Sequence, residues 1–253
     1  MLEQITLYEF SPTGGTHKVG LSVAGALANE VHVVHLGDPQ YTLPPVTSEP
    51  VVLVALPVFA GRIPAVIAEK LKGWTSKGTK AITLAVYGNR DFDDALLELN
   101  DLLTAQGFQV IASGACVAQH SMAPAVAEGR PDSDDRKRLH AFAASVLAKL
   151  EQNSCTPVAV TGNRPYKEAS SMPATPLSND SCVHCGICAS VCPTQAITMG
   201  DTLQTDLNRC MLCMSCVAQC PAKARMLPAP VAEKLQAMLA PCAAVRRENQ
   251  YFL

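Results

Sequence analysis

Cys182-Val183-His184-Cys185-Gly186-Ile187-Cys188-Ala189-Ser190-Val191-Cys192-Pro193 is followed, 28 positions on, by Cys210-Met211-Leu212-Cys213-Met214-Ser215-Cys216-Val217-Ala218-Gln219-Cys220-Pro221. Both are copies of one pattern, Cys-x2-Cys-x2-Cys-x3-Cys-Pro, and together they hold eight of the 11 cysteines. Three thiolates at steps of three residues converge from one tight loop on three corners of an iron–sulfur cubane. The fourth corner needs a ligand from elsewhere, and in paired runs the fourth Cys of each serves the other cluster. The spacing therefore predicts two [4Fe–4S] clusters, one on Cys182, Cys185, Cys188 and Cys220 and one on Cys210, Cys213, Cys216 and Cys192. Pro193 and Pro221 turn the chain away after the crossing ligand, and Gly186, Ala189, Ser190 and Ala218 leave room for the cubanes. Two four-cysteine zinc sites are the alternative, but zinc knuckles need neither a third Cys at the same step nor a Cys-Pro.

His184 lies inside the first run and reads as a loop residue, because all four Cys positions are filled. Cys116, Cys155 and Cys242 lie outside both runs and read as ordinary free cysteines. The opening Met1-Leu2-Glu3-Gln4 lacks the basic start of a signal peptide. Cysteines of this spacing in a reducing compartment are metal ligands, so the expected location is cytoplasmic. The formal net charge of −2 offers no basic field for nucleic acid. The longest apolar run, Val51 to Ala60, contains Pro57 and falls far short of the ~20 residues that span a bilayer. No membrane span is expected.

Ahead of the cysteine runs the chain alternates strand and helix signals. Residues 3–9 alternate apolar and polar, a turn-rich 11–15 follows, and 16–29 is amphipathic. Residues 31–36 are largely apolar, the continuous apolar run at 51–56 suits a strand buried on both faces, 81–86 reads as another buried strand, and 108–117 is strand-like. Helical periodicity marks 64–71, 93–106 and 132–150, the last begun by Asp132, Ser133 or Asp134. This order predicts an α/β fold, a flavodoxin-like five-stranded parallel sheet in the order 2-1-3-4-5, plus a small α+β ferredoxin-type domain. The expected division is 1–152 for the sheet domain, a Pro- and Ser-rich connector over 153–176, and 177–253 for the cluster domain, its short helix (231–239) and its tail.

In such a sheet, ligands bind beyond the carboxyl ends of the strands, where strand order reverses. The first strand ends there, in Ser11-Pro12-Thr13-Gly14-Gly15-Thr16. Hydroxyls and glycine amides at a helix start form a phosphate cradle. The loop is neither Gly-Lys-Ser/Thr nor Gly-x-Gly-x-x-Gly, so a monophosphate is expected. Two further loops reach the same edge: Pro57-Val58-Phe59-Ala60-Gly61-Arg62-Ile63-Pro64, and Tyr87-Gly88-Asn89-Arg90-Asp91-Phe92-Asp93. Each offers an aromatic and a glycine for stacking against, and backbone bonding to, an isoalloxazine ring. Arg62 or Arg90 would stabilise an anionic reduced flavin.

The residues before 150 resemble a flavodoxin domain, Ser11 to Thr16 matching its Ser/Thr-x-Thr-Gly-x-Thr phosphate loop. Nearly the whole chain resembles bacterial and archaeal flavodoxin–ferredoxin fusion proteins, in which Pro-Val-Phe/Tyr-x-Gly-Arg-x-Pro, Val-Tyr-Gly-Asn-Arg and Gly-Asn-x-Pro-Tyr-Lys recur. They stand here at Pro57 to Pro64, Val86 to Arg90 and Gly162 to Lys167. The resemblance implies FMN in the first domain and electron transfer as the role. Its ring loops carry no Trp, since Trp74 follows a helix. The expected function is an electron carrier passing single electrons between the clusters, FMN and a redox partner protein. The alternative is a flavin-dependent reductase of a small molecule, with His120 as proton donor and Gln119 to Met122 lining the pocket. A homodimer, with one chain's cluster serving the other's FMN, stays open.

Overall fold

The computed structural model describes residues 1–154, 156–170 and 172–253, so Cys155 lies outside the described residues. In chain order it begins β1 (Leu2–Glu9), α1 (Gly15–Leu27), β2 (Ala28–His35), a short β3 (Val46–Thr47), β4 (Val51–Pro57) and α2 (Ala65–Lys72). Next come a short β5 (Thr75–Ser76), β6 (Lys80–Tyr87), α3 (Ala95–Ala105), β7 (Gln109–Val117) and α4 (Ser133–Glu151). The cysteine-rich part follows, as β8 (Leu177–Ser178), α5 (Ile187–Ser190), β9 (Ile197–Thr198), β10 (Gln204–Thr205), α6 (Ser215–Ala218) and β11 (Arg225–Met226). The chain closes with α7 (Ala229–Ala243) and β12 (Gln250–Phe252).

The main sheet runs β12-β7-β6-β4-β1-β2. Its long strands pair in parallel, and only β12 is antiparallel, against β7. Every residue of β4 is buried because helices cover both faces. Val19 and Val23 of α1 and Leu139 and Phe142 of α4 pack on Leu7, Leu53 and Leu84. Ile67 of α2 and Leu96 of α3 pack on Tyr8, Val54 and Leu56 across the sheet. Trp74 is fully buried there between Tyr8 and Phe108, with ring centroids 4.4 and 4.6 Å away. The Asp132 carboxylate caps α4 by accepting the Asp134 and Asp135 amides, and Asp135 closes the capping box.

Two elements depart from the sequence pattern, and one link is held without a helix. Helix α1 stops at Leu27, and Ala28 is already extended, paired with Leu2; the ladder to β1 overrides helical periodicity up to residue 29. No helix joins β2 to β4. Leu36 and Leu43 fill the core in its place, and Lys70 Nζ holds the segment by donating to the carbonyls of Leu36, Asp38 and Tyr41 at 2.9, 3.0 and 3.0 Å. The tail, expected to run with the cluster domain to residue 253, returns to the main sheet as β12. Its Tyr251 stacks on Phe142 of α4 at 4.7 Å and 15°, and Asn249 Oδ1 accepts the Val117 amide at 2.8 Å. An apolar–polar count over three residues is too short to reveal an edge strand whose partner lies more than a hundred positions earlier.

The connector is strapped to the sheet unit. The Asp94 carboxylate, at the start of α3, accepts the amides of Asn163 and Lys167 at 2.7 and 2.6 Å. Arg164 pairs with Asp101 at 2.5 Å, and the Tyr166 hydroxyl donates to the same carboxylate.

Candidate cofactor sites

The cysteine runs fold as near-copies of one another. At matching positions the backbone takes left-handed φ values: 51° at His184 and 53° at Leu212, 80° at Gly186 and 67° at Met214, 50° at Gln195 and 52° at Lys223. The short helices α5 and α6 start after these turns. The Ala196 amide donates to Cys192 Sγ at 3.2 Å, and the Ala224 amide to Cys220 Sγ at 3.3 Å. Chain reversal at each Cys-Pro carries the fourth thiol across the pseudo-repeat. Cys182, Cys185, Cys188 and Cys220 line one cavity. Cys192, Cys210, Cys213 and Cys216 line a second.

The donor chemistry fits cubanes. Eight thiols ring two cavities, four to each. Burial pushes the Cys213 thiol up to about 12, a cost that ligation by iron would remove. Burial also raises the Cys188 and Cys216 thiols, opposed in both by Arg225. Around Cys220, burial is outweighed by the surrounding backbone amides, so its thiol is lowered. The first cavity opens outward: Cys185 is exposed, and Val183 beside it is 68% exposed. In the second, Cys192, Cys213 and Cys216 are buried and Cys210 is half-buried.

At the main sheet's carboxyl edge, Gly14 takes φ +86° at the start of α1, and a Cβ there would meet nothing within 4 Å. Ser11 Oγ accepts the His17 amide at 2.8 Å. The Gly15 and Thr16 amides have no intramolecular acceptor among the described residues. Open space over free helix-start amides fits a phosphate. Gly15 sits against Ala118, which follows β7, closely enough that a Cβ would lie 3.2 Å from the Ala118 methyl.

The ring loops are less available than their composition suggests. Phe59, Ala60, Gly61 and Arg62 form a tight turn, with Phe59 and Arg62 exchanging backbone bonds at 2.9 and 3.1 Å and φ of 52° and 90° at Ala60 and Gly61. Gly61 is required there, since a Cβ would lie 2.3 Å from the Asp93 carboxylate. The Arg62 guanidinium does not face outward: it grips Glu98 at 2.7 and 2.6 Å, donates to the Lys167 carbonyl at 2.8 Å and lies 5.0 Å over the Tyr166 ring. Arg90 is paired with Asp93. Phe92 is a core residue, buried and 5.7 Å from Tyr87. Asn89 is buried and ties down the chain after α7, donating to the carbonyls of Cys242 and Val245 at 2.7 Å each and accepting the Arg247 amide at 3.0 Å. Pro57 is buried, and Val58 and Phe59 are half-buried, leaving Phe59 as the aromatic of these loops still open at the edge. The side chains of Arg62, Arg90, Asn89 and Phe92 are thus spent on the scaffold, while their backbones, with those of Ala60, Gly61 and Gly88, still form the rim.

His120 is anchored in its loop through one ring nitrogen. Its Nδ1 accepts the Met122 and Ala123 amides at 3.2 Å each, and its ring packs so closely on Gly88 that a Cβ there would lie 2.4 Å from Cδ2. Burial, helped by Arg90, lowers its affinity for a proton. Cys116 is fully buried in the α1/α4 face, its thiol pushed up by burial. Cys242 packs with Leu239 of α7 against Ala123 and Val126.

The cluster module and the sheet edge meet. Cys213 belongs to the same buried cluster as Phe10 and Phe92, and Met211, Val58 and Phe59 all pack against that cluster. Sequence reading missed this contact and the anchors Asp94 and Glu98, which depend on distant partners. It also passed over Arg225, whose signal is visible in the repeat: Cys-Pro-x-x-Ala is followed by Ile197 in the first run and by Arg225 in the second.

Residues 181–224 match the family of 4Fe-4S dicluster domains. A 24-residue stretch, 10% of this chain, is 71% identical to a ferredoxin of Clostridium butyricum and spans 44% of that protein. Among solved structures, oxidised Flavodoxin 2 from Bacillus cereus aligns with 14% identity and a TM-score of 0.46, over 58% of this chain and 99% of that one. A flavodoxin from the domain Archaea aligns with 12% identity and a TM-score of 0.42, again over 58% and 99%. The matched residues 181–224 include all eight cysteines of the two runs. Among the described residues no helix is long and apolar enough to cross a membrane.

Proposed function

We propose that the protein carries single electrons between two [4Fe–4S] clusters and one FMN, and on to a redox partner protein. Cys182, Cys185, Cys188 and Cys220 would hold the outer cluster, and Cys192, Cys210, Cys213 and Cys216 the inner one. Ser11 to Thr16 would hold the FMN phosphate, and the rims at 57–62 and 88–92 its ring, with Phe59 as the stacking aromatic. When bound, each cubane exchanges one electron and the flavin one or two, so the combination links one-electron to two-electron donors. The observation that carries the reading is the pairing of two four-cysteine cavities with a junction where Cys213 joins the buried cluster of the sheet edge, against which Met211, Val58 and Phe59 also pack.

The chain's own groups do the positioning. The Ala196 and Ala224 amides donate to crossing thiolates, and such bonds help set cluster potential. Exposed Val183 and Cys185 present the outer cavity to a partner, whereas Cys213, the counterpart of Cys185 in the second run, is buried. The test is metal, sulfide and flavin analysis of anaerobically purified protein, followed by reductive titration with visible absorbance and electron paramagnetic resonance. Two interacting cluster signals and one FMN per chain are expected. Cluster signals without flavin, even after FMN is added, would refute the flavin half.

A further inference from the structure

Arg225 is 4% exposed, and among the described residues no carboxylate pairs with it. Its Nη1 donates to Ser178 Oγ at 3.1 Å and its Nη2 to Thr205 Oγ1 at 2.9 Å. The same Nη2 stands 3.8 Å from Cys216 Sγ, a thiol of the second cavity. Its Nε is buried with no partner, and the residue lines the first cavity. A guanidinium stays protonated under all ordinary conditions, and a buried charge without a counter-charge is strongly destabilising. The internal repeat sharpens the anomaly. The matching position in the first run is Ile197, which is buried and apolar, so the fold tolerates a hydrocarbon there and does not require the arginine.

We infer that Arg225 is the shared counter-charge of the cluster pair, a positioning residue set in the wall between the cavities. This rests on the two-cluster reading. Thiolate-ligated [4Fe–4S] centres carry net negative charge that grows on reduction. A fixed cation between them favours the reduced state of both and raises both potentials. The effect is larger for the inner cluster, whose Cys216 sulfur the guanidinium meets directly. Arg225 also breaks the symmetry of two otherwise matched sites, so the two centres differ in potential although their ligand loops are near-copies.

The test is a redox titration of the full-length, cluster-loaded protein, monitored by electron paramagnetic resonance and paired with iron and sulfide analysis. The variants are Arg225→Ile, Arg225→Gln, Arg225→Lys and Lys223→Gln. Removing the charge in Arg225→Ile or Arg225→Gln should shift both cluster potentials negative, the inner one further. Arg225→Lys, which keeps the charge, should stay close to the parent. Lys223→Gln removes an equal but exposed charge two positions away and should leave both potentials in place. Arg225→Gln keeps a polar side chain of similar length, so it gives the answer if Arg225→Ile fails to load clusters. Unchanged potentials in Arg225→Gln, or an equal shift in Lys223→Gln, would overturn the inference and leave the two-cluster reading standing. Parent protein without two clusters' worth of iron and sulfide would overturn both.

Discussion

Asn89 gives the sharpest separation between a flavin contact and a scaffold anchor. The Val-Tyr-Gly-Asn-Arg motif puts it on the flavin rim, yet its carboxamide makes three hydrogen bonds to the chain at and beyond the end of α7. It is 3% exposed, so water does not replace them. At about 1 kcal/mol for each bond, their loss costs about 3 kcal/mol. The residue also sits at φ +61°, where Asn is tolerated better than Ala, adding roughly 1 kcal/mol for an alanine. Asn89→Ala should therefore lose about 3–4 kcal/mol, roughly 6–16 °C in Tm for a chain of this size. Asn89→Gly keeps the left-handed backbone and isolates the hydrogen-bond part. Hydrogen exchange should show protection falling over residues 242–252 in both variants. FMN affinity, read by quenching of flavin fluorescence, should change by less than about tenfold, or 1.4 kcal/mol. An Asn89→Gly protein with unaltered Tm and exchange but greatly weakened FMN binding would refute the anchor assignment.

Crossed ligation makes a second prediction: Cys220→Ala should abolish the signal of the cluster on Cys182, Cys185 and Cys188, and Cys192→Ala that of the other, as magnetic resonance of each variant will show. Removing the Arg62 clamp by Arg62→Ala should free the Lys167 carbonyl and the Tyr166 ring. The cost should be about 1–2 kcal/mol, since the Arg62–Glu98 pair is only partly buried, and limited proteolysis near 162–167 should speed up. His120 has a proton affinity lowered in the folded state by burial, then by Arg90. Its contribution is therefore complete above the unfolded value near 6.5 and is lost as pH falls below that value towards the lower folded one. His120→Gln should show a shallower loss of stability between pH 7 and 5 in denaturant melts, and a slope equal to the parent's would contradict this.

The cysteine spacing could be read without coordinates because three thiols at steps of three residues share one loop, and their geometry is local. The buried parallel strands were legible for a similar reason: Val51 to Leu56 is apolar throughout and Ala81 to Val86 is broken only by Thr83, as covering on both faces demands. The loop from Ser11 to Thr16 was legible because strand, glycines and helix start are adjacent in the chain.

Side-chain duties at the rim were not legible. Arg62 and Asn89 look like flavin ligands by position, but their partners lie 36 and 153 positions away, and no short-range pattern encodes which of two acceptors a guanidinium or carboxamide meets first. The return of Gln250–Phe252 to the sheet, the entry of Cys213 into the buried cluster of the sheet edge, and the isolation of Arg225 are likewise products of packing. The sequence by itself determined the parallel α/β unit and the paired cysteine runs, through periodicity and local spacing. Only the tertiary structure decided how they join and which charges stay unpaired, because burial and partnership depend on segments far apart in the chain.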